Sequence, residues 1–122
     1  MRREEPIAGP LVVKDFEERE KKALTMILSS GIKFIELGIF GSYARNEYTA
    51  LSDIDILVIV NEHPPRSLSG DLREELESIN VDLVYSTLDY YRNSDSLFAK
   101  QLRNDYIRRL RYGEKLLWNC SR

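Results

Sequence analysis

The run Ser52-Asp53-Ile54-Asp55-Ile56-Leu57-Val58-Ile59-Val60 decides the fold, because it places two carboxylates at the entrance of an apolar segment too short for an ordinary helix. Ile56 to Val60 is rich in β-branched residues, which predicts a strand buried on both faces. Alternate side chains on a strand share a face, so Asp53 and Asp55 point the same way with Cα atoms roughly 6.5 Å apart. Two carboxylates held that close repel each other, so either one takes up a proton or a cation sits between them. Hard oxygen ligands in this pattern suit Mg²⁺, which binds through one or two carboxylates together with substrate phosphates.

Upstream, the strand-like run Ile35 to Phe40 delivers Gly41-Ser42, followed by Tyr43-Ala44-Arg45 as one expected helical turn. Glycine lets a phosphate approach the backbone closely, and the N–H groups of such a turn point at it. Ser42 adds a hydroxyl that can donate or cap. Arg45 can neutralise phosphate charge, or pair with Glu47 on the surface. Downstream, Val81-Asp82-Leu83-Val84-Tyr85 reads as a further strand with a single acid among apolar neighbours. A buried acid without a partner is costly, so Asp82 calls for exposure, a hydrogen bond or a metal.

Gly41-Ser42, ten intervening residues, Asp53-Ile54-Asp55 and a later Asp82 resemble the nucleotidyltransferase superfamily of DNA polymerase β. The wording Gly-Ser-Tyr-Ala-Arg-Asn-Glu with Ser-Asp-Ile-Asp-Ile-Leu-Val is similar to its minimal branch, over about Ile32 to Tyr85. That resemblance implies an α/β fold of the α+β two-layer kind, a small mixed β-sheet packed against helices. It also implies that Asp53, Asp55 and Asp82 are the catalytic and metal-holding residues, that Gly41, Ser42 and Arg45 bind the nucleotide, and that two Mg²⁺ ions and ATP take part. Asp82 is then the candidate for activating the attacking hydroxyl. Family members commonly carry glycine where this chain has Asn46; asparagine is among the few residues that tolerate positive φ, so the turn is expected to survive.

The chain has 122 residues, which fits one domain: residues 1–10 as a loose lead-in with two prolines and 11–122 as a single nucleotidyltransferase domain. A net charge of −2 argues against general nucleic-acid binding. Cys120 is the only cysteine and reads as a bystander thiol. The charged N-terminus does not read as a signal peptide, and no stretch has the apolar length of a membrane span, so the expected location is the cytoplasm.

Phe16, Ala23, Leu24, Ile27 and Leu28 predict an amphipathic helix from Asp15, as cap, to Ser30, ended by Gly31, with Glu17 to Lys22 as its solvated face. Pro64-Pro65 marks a loop that carries His63, the single histidine, in a surface role. A helix then starts at Ser69 or Asp71 and ends at Asn80. From Ser86 onward, Leu88, Tyr90, Tyr91, Leu97, Phe98, Leu102, Tyr106, Ile107 and Leu110 suggest helices on the sheet. Arg103, Arg108, Arg109 and Arg111 read as an exposed helix face or as a docking patch for an acidic partner or nucleotide phosphates, and Lys115 to Trp118 as an edge strand.

Larger members of the superfamily hold their acceptor with a second domain, for which this chain has no room. The resemblance implies transfer of AMP to a tyrosine of a HEPN-type toxin partner, in an antitoxin role. Two other readings stay open on the sequence: an enzyme that modifies a small molecule, like the kanamycin nucleotidyltransferases, and a non-catalytic module that neutralises its partner by contact. A homodimer is also left open.

Overall fold

The computed structural model describes residues 9–113. Its elements are α1 (Pro10–Ser29), β1 (Glu36–Phe40), α2 (Gly41–Ala44), β2 (Ile54–Val60), α3 (Arg66–Glu77), β3 (Val81–Thr87), α4 (Leu88–Asn93), α5 (Leu97–Asp105) and β4 (Ile107–Arg111). The sheet order is β3-β2-β1-β4. β1 runs antiparallel to β2 and to β4, whereas β2 and β3 are parallel. This is the small mixed sheet that the sequence implied.

Alternation along the strands divides the core. Leu37, Ile39, Ile54, Ile56, Val58, Val60, Val81 and Leu83 meet Phe16, Leu24 and Ile27 of α1 and Leu72 and Leu76 of α3. Leu57 and Ile59 face the other way, against Leu102 of α5 with Leu88, Tyr91 and Tyr106 around it. β2 is thus buried on both faces, as its unbroken apolar run requires. The α1–α3 layer with the sheet makes the two-layer body, and α4 with α5 covers part of the second face.

Several boundaries differ from the sequence reading. α1 begins at Pro10 with Gly9 as its N-cap, five residues before Asp15, because proline at the first helical position is preset for the helix. Asp15 instead pairs with Arg19 at 3.1 Å. The run Glu17 to Lys22 is not uniformly solvated. Arg19 lies over the Phe16 ring at 4.2 Å and donates to Ile79 O at 2.9 Å, and Glu20 is buried. α3 starts at Arg66, directly after Pro65, and Asn80 takes φ 60° where the chain turns into β3.

The largest difference is β4. Ile107, Leu110 and the arginines at 108, 109 and 111 belong to an edge strand rather than a helix. Gly38 explains the pairing: a side chain there would run into the Tyr106 ring and the Ile107 carbonyl oxygen. The bare backbone at 38 lets the chain leave α5 and lie along β1, with a register shift between Leu37 and Gly38. Residues 1–8 of the expected lead-in, the expected strand Lys115 to Trp118 and Cys120 lie outside the described residues.

Candidate active site

Register builds the site. Parallel pairing sets Asp55 opposite Asp82, and antiparallel pairing sets Asp55 opposite Phe40. All three side chains therefore share one face of the sheet, the face that carries α5. Asp53 lies one residue before β2 and is exposed, as is Asp82, whereas Asp55 is half-buried. The chain emerging from β1 turns over this pair at Gly41, whose φ is +78°. A Cβ at this position would run into Oδ2 of Asp55. Glycine is needed twice there, for the left-handed backbone and for the close approach of the carboxylate.

The loop behind the turn is held by its own backbone. Arg45 N–H donates to Gly41 O at 3.0 Å, Asn46 N–H to Tyr43 O at 3.1 Å and Glu47 N–H to Ser42 O at 2.9 Å. Asn46 takes φ 61°, the left-handed conformation that asparagine was expected to tolerate there. Ser52 accepts from Thr49 N–H through its hydroxyl and donates its own N–H to Thr49 O, both at 3.0 Å, which fixes the approach to Asp53.

Burial, then the charges of Asp82 and Asp53, push the Asp55 carboxyl up to about 6, and Arg45 pulls the other way. The three acids are thus close enough to repel, and a divalent cation with bound phosphates would relieve that repulsion. Among the described residues, no group of three acidic, histidine or cysteine side chains is placed so that it could by itself hold a metal ion. Asp53, Asp55 and Asp82 offer hard oxygen donors, and an ion here would need the substrate's phosphates to complete its shell.

The Arg45 guanidinium is anchored: Nε donates to Glu47 at 2.9 Å and Nη1 to Asp105 Oδ2 at 2.7 Å. Asp105 is buried at the end of α5. Sequence reasoning missed Asp105 and a second buried acid, Glu20, which accepts from the Tyr43 hydroxyl at 2.7 Å and from Arg109 Nε at 2.6 Å. Both sit on the apolar stripe of their helices, Glu20 between Phe16 and Leu24 and Asp105 after Leu102. An acid at an expected core position was the available signal. His63 is exposed in its loop, as expected.

The family model described as a nucleotidyltransferase domain matches residues 13–116. A Methanocaldococcus jannaschii protein provisionally named a protein adenylyltransferase is 44% identical over 75 residues, covering 59% of this chain and 72% of that one. A second M. jannaschii protein with the same provisional name is 30% identical and covers 79% of this chain and 85% of its own length. The protein adenylyltransferase MntA of Thermococcus cleftensis is 46% identical over 52 residues, 40% of this chain and 52% of that one. Among solved structures, a Sulfolobus solfataricus protein described as a nucleotidyltransferase superposes with a TM-score of 0.63 at 19% identity, covering 90% of this chain and 96% of that one. The MNT antitoxin complexed with the tri-AMPylated HEPN toxin of Shewanella oneidensis shares the fold at a TM-score of 0.52 and 23% identity, covering 75% and 69%. The described helices include none long and apolar enough to cross a membrane. The chain belongs to the nucleotidyltransferase domain family and is a nucleotidyltransferase.

Proposed function

We propose that this enzyme transfers AMP from ATP to a tyrosine hydroxyl of a HEPN-type protein partner, as the antitoxin of a pair. The observation that carries the reading is the Gly41 turn set directly over the register-matched Asp55 and Asp82. The protein adenylyltransferase names of its relatives support the chemistry. The tri-AMPylated toxin bound to a protein of the same fold supports the partner. An AMP-PNP complex of a toxin–antitoxin pair with this fold supports ATP.

In this reading the backbone N–H groups and hydroxyl of Gly41-Ser42 hold the β- and γ-phosphates. Asp53, Asp55 and Asp82 would hold two Mg²⁺ ions, which supply charge stabilisation to both the attacking and the leaving oxygen at phosphorus. Asp82, exposed at the edge of the site, accepts the proton of the acceptor hydroxyl as its oxygen bonds to the α-phosphorus. The bond to the β-phosphate breaks and pyrophosphate leaves. Arg45 adds positive potential while its own position is fixed by Asp105 and Glu47. The reaction belongs in the cytoplasm, where ATP and Mg²⁺ are abundant.

The test is incubation with ATP, Mg²⁺ and the HEPN-type partner, followed by intact mass analysis. One or more added AMP units on the partner, absent with Asp53→Ala, are expected. A tight complex without any adduct would overturn the reading in favour of a contact-only module, and an adduct on a small molecule alone would move the acceptor to that class.

A further inference from the structure

Glu20 is the buried charge that the chemistry above does not use. It lies on α1 with 2% of its surface exposed, between Phe16 and Leu24, which are fully buried. Burying a carboxylate costs several kcal/mol, offset only by well-placed partners, and replacing a buried ion pair by apolar residues is often neutral for stability. A stripe of this composition would accept leucine or methionine at position 20.

The partners of Glu20 say what the acid does there. Tyr43 donates its hydroxyl to Oε1 at 2.7 Å, and Arg109 of β4 donates Nε to Oε2 at 2.6 Å and Nη2 to Oε1 at 3.3 Å. Tyr43 is the residue after Ser42, inside the four-residue α2. Its ring sits against Phe16 at 5.4 Å and Tyr48 at 5.0 Å, so the hydroxyl contact fixes how far the ring, and the turn behind it, reaches into the core. On the opposite face, buried Asp105 holds Arg45, which closes the same turn. Two buried acids thus brace one short segment from either side of the sheet.

We propose that Glu20 is a positioning residue for nucleotide binding: through Tyr43, with Arg109 as its counter-charge, it sets the Gly41-Ser42 turn over the carboxylates. The proposal rests on the nucleotide reading of that turn, but its local part stands without it. Burial, reinforced by the charge of Glu20 and their hydrogen bond, pushes the Tyr43 phenol well above its ordinary range, so it remains a donor throughout the working pH range.

The experiment compares wild type with Tyr43→Phe, and with Glu20→Met, Tyr43→Phe and Arg109→Met combined. Amide hydrogen exchange at residues 41–46 is read beside KM for ATP, KM for the acceptor and kcat. Tyr43→Phe is expected to speed exchange at 41–46 by about tenfold while the β2 amides stay protected. It is expected to raise KM for ATP by about fivefold, with KM for the acceptor unchanged. The triple variant, whose apolar replacements relieve the buried charges, should fold with similar stability and show the same two defects. Glu20→Gln in the otherwise wild-type chain, which still accepts from Tyr43, should retain most of the protection. A folded Tyr43→Phe enzyme with unaltered exchange at 41–46 and unaltered KM for ATP would overturn the proposal. A wild type that binds no ATP would defeat the nucleotide reading, while the exchange data would still decide whether Glu20 sets the turn.

Discussion

Burial and two neighbouring acids push the Asp55 carboxyl up to about 6 from 3.8, so the fold works against the charge that the proposed chemistry needs. The sign follows from the direction of the shift. A group whose folded pKa is raised contributes stability that is full below the unfolded value and lost as pH rises through the folded one. In metal-free protein, Asp55→Asn removes that loss. After allowance for partial exposure of the site, it is expected to stabilise the fold by about 1–2 kcal/mol at pH 7, with the gap closing as pH falls towards 4. Urea titrations of both proteins in chelator at several pH values read this directly; a gap that widened at low pH would refute it. The same variant should lose AMP transfer. Gly41 is constrained more tightly still, by φ and by Oδ2 of Asp55 together. Gly41→Ala is expected to cost about 2 kcal/mol in urea unfolding and to lower kcat/KM for ATP at least about 100-fold. Activity close to wild type in that variant would mean that the turn does not approach the phosphates.

At the scale of elements, what was legible in the sequence was whatever local chemistry dictates. β2 declared itself because an unbroken apolar run rich in β-branched residues reads as a strand buried on both faces. The Asp53/Asp55 pair and the turn at Gly41-Ser42 were readable because their spacing carries the constraint. Asn46 was readable because few residues tolerate φ near 60°. β4 was not, since Tyr106-Ile107-Arg108-Arg109-Leu110-Arg111 carries apolar residues at helical spacing and its strand character comes from β1. Only the missing Cβ of Gly38, about seventy positions away in the chain, admits Tyr106 and the Ile107 carbonyl. Non-local pairing of this kind leaves little local signal. Gly38→Ala is therefore expected to cost about 1–3 kcal/mol by overpacking, as a lower urea midpoint, with exchange rising first in β4 and β1. A midpoint equal to wild type would mean that Tyr106 is free to move aside.

For the whole molecule, the site is a shared property of elements far apart in sequence. In the proposed function β1 and its turn are the phosphate cradle; the start of β2 supplies Asp53 and Asp55, and β3 supplies Asp82 from the strand beside it. The exposed Asp53 and Asp82 and the half-buried Asp55 cannot neutralise one another, so the fold carries at one end of its sheet a repulsion that Arg45 offsets only in part. A ligand that brings a divalent cation and phosphates together should stabilise the native state far more than either component alone. With Mg²⁺ and ATP at about 100 times the dissociation constant, mass action gives about 2.7 kcal/mol, or about 10 °C in Tm for a domain of this size. Thermal unfolding with Mg²⁺ alone, ATP with chelator, and the two together is expected to show that rise only in the last case. Asp53→Ala should keep the unliganded Tm within a few degrees, since Asp53 is exposed, and lose the ligand-dependent rise. An equal rise with ATP in chelator would show that the nucleotide is held without a metal, and would take from Asp53, Asp55 and Asp82 the role that their placement suggests.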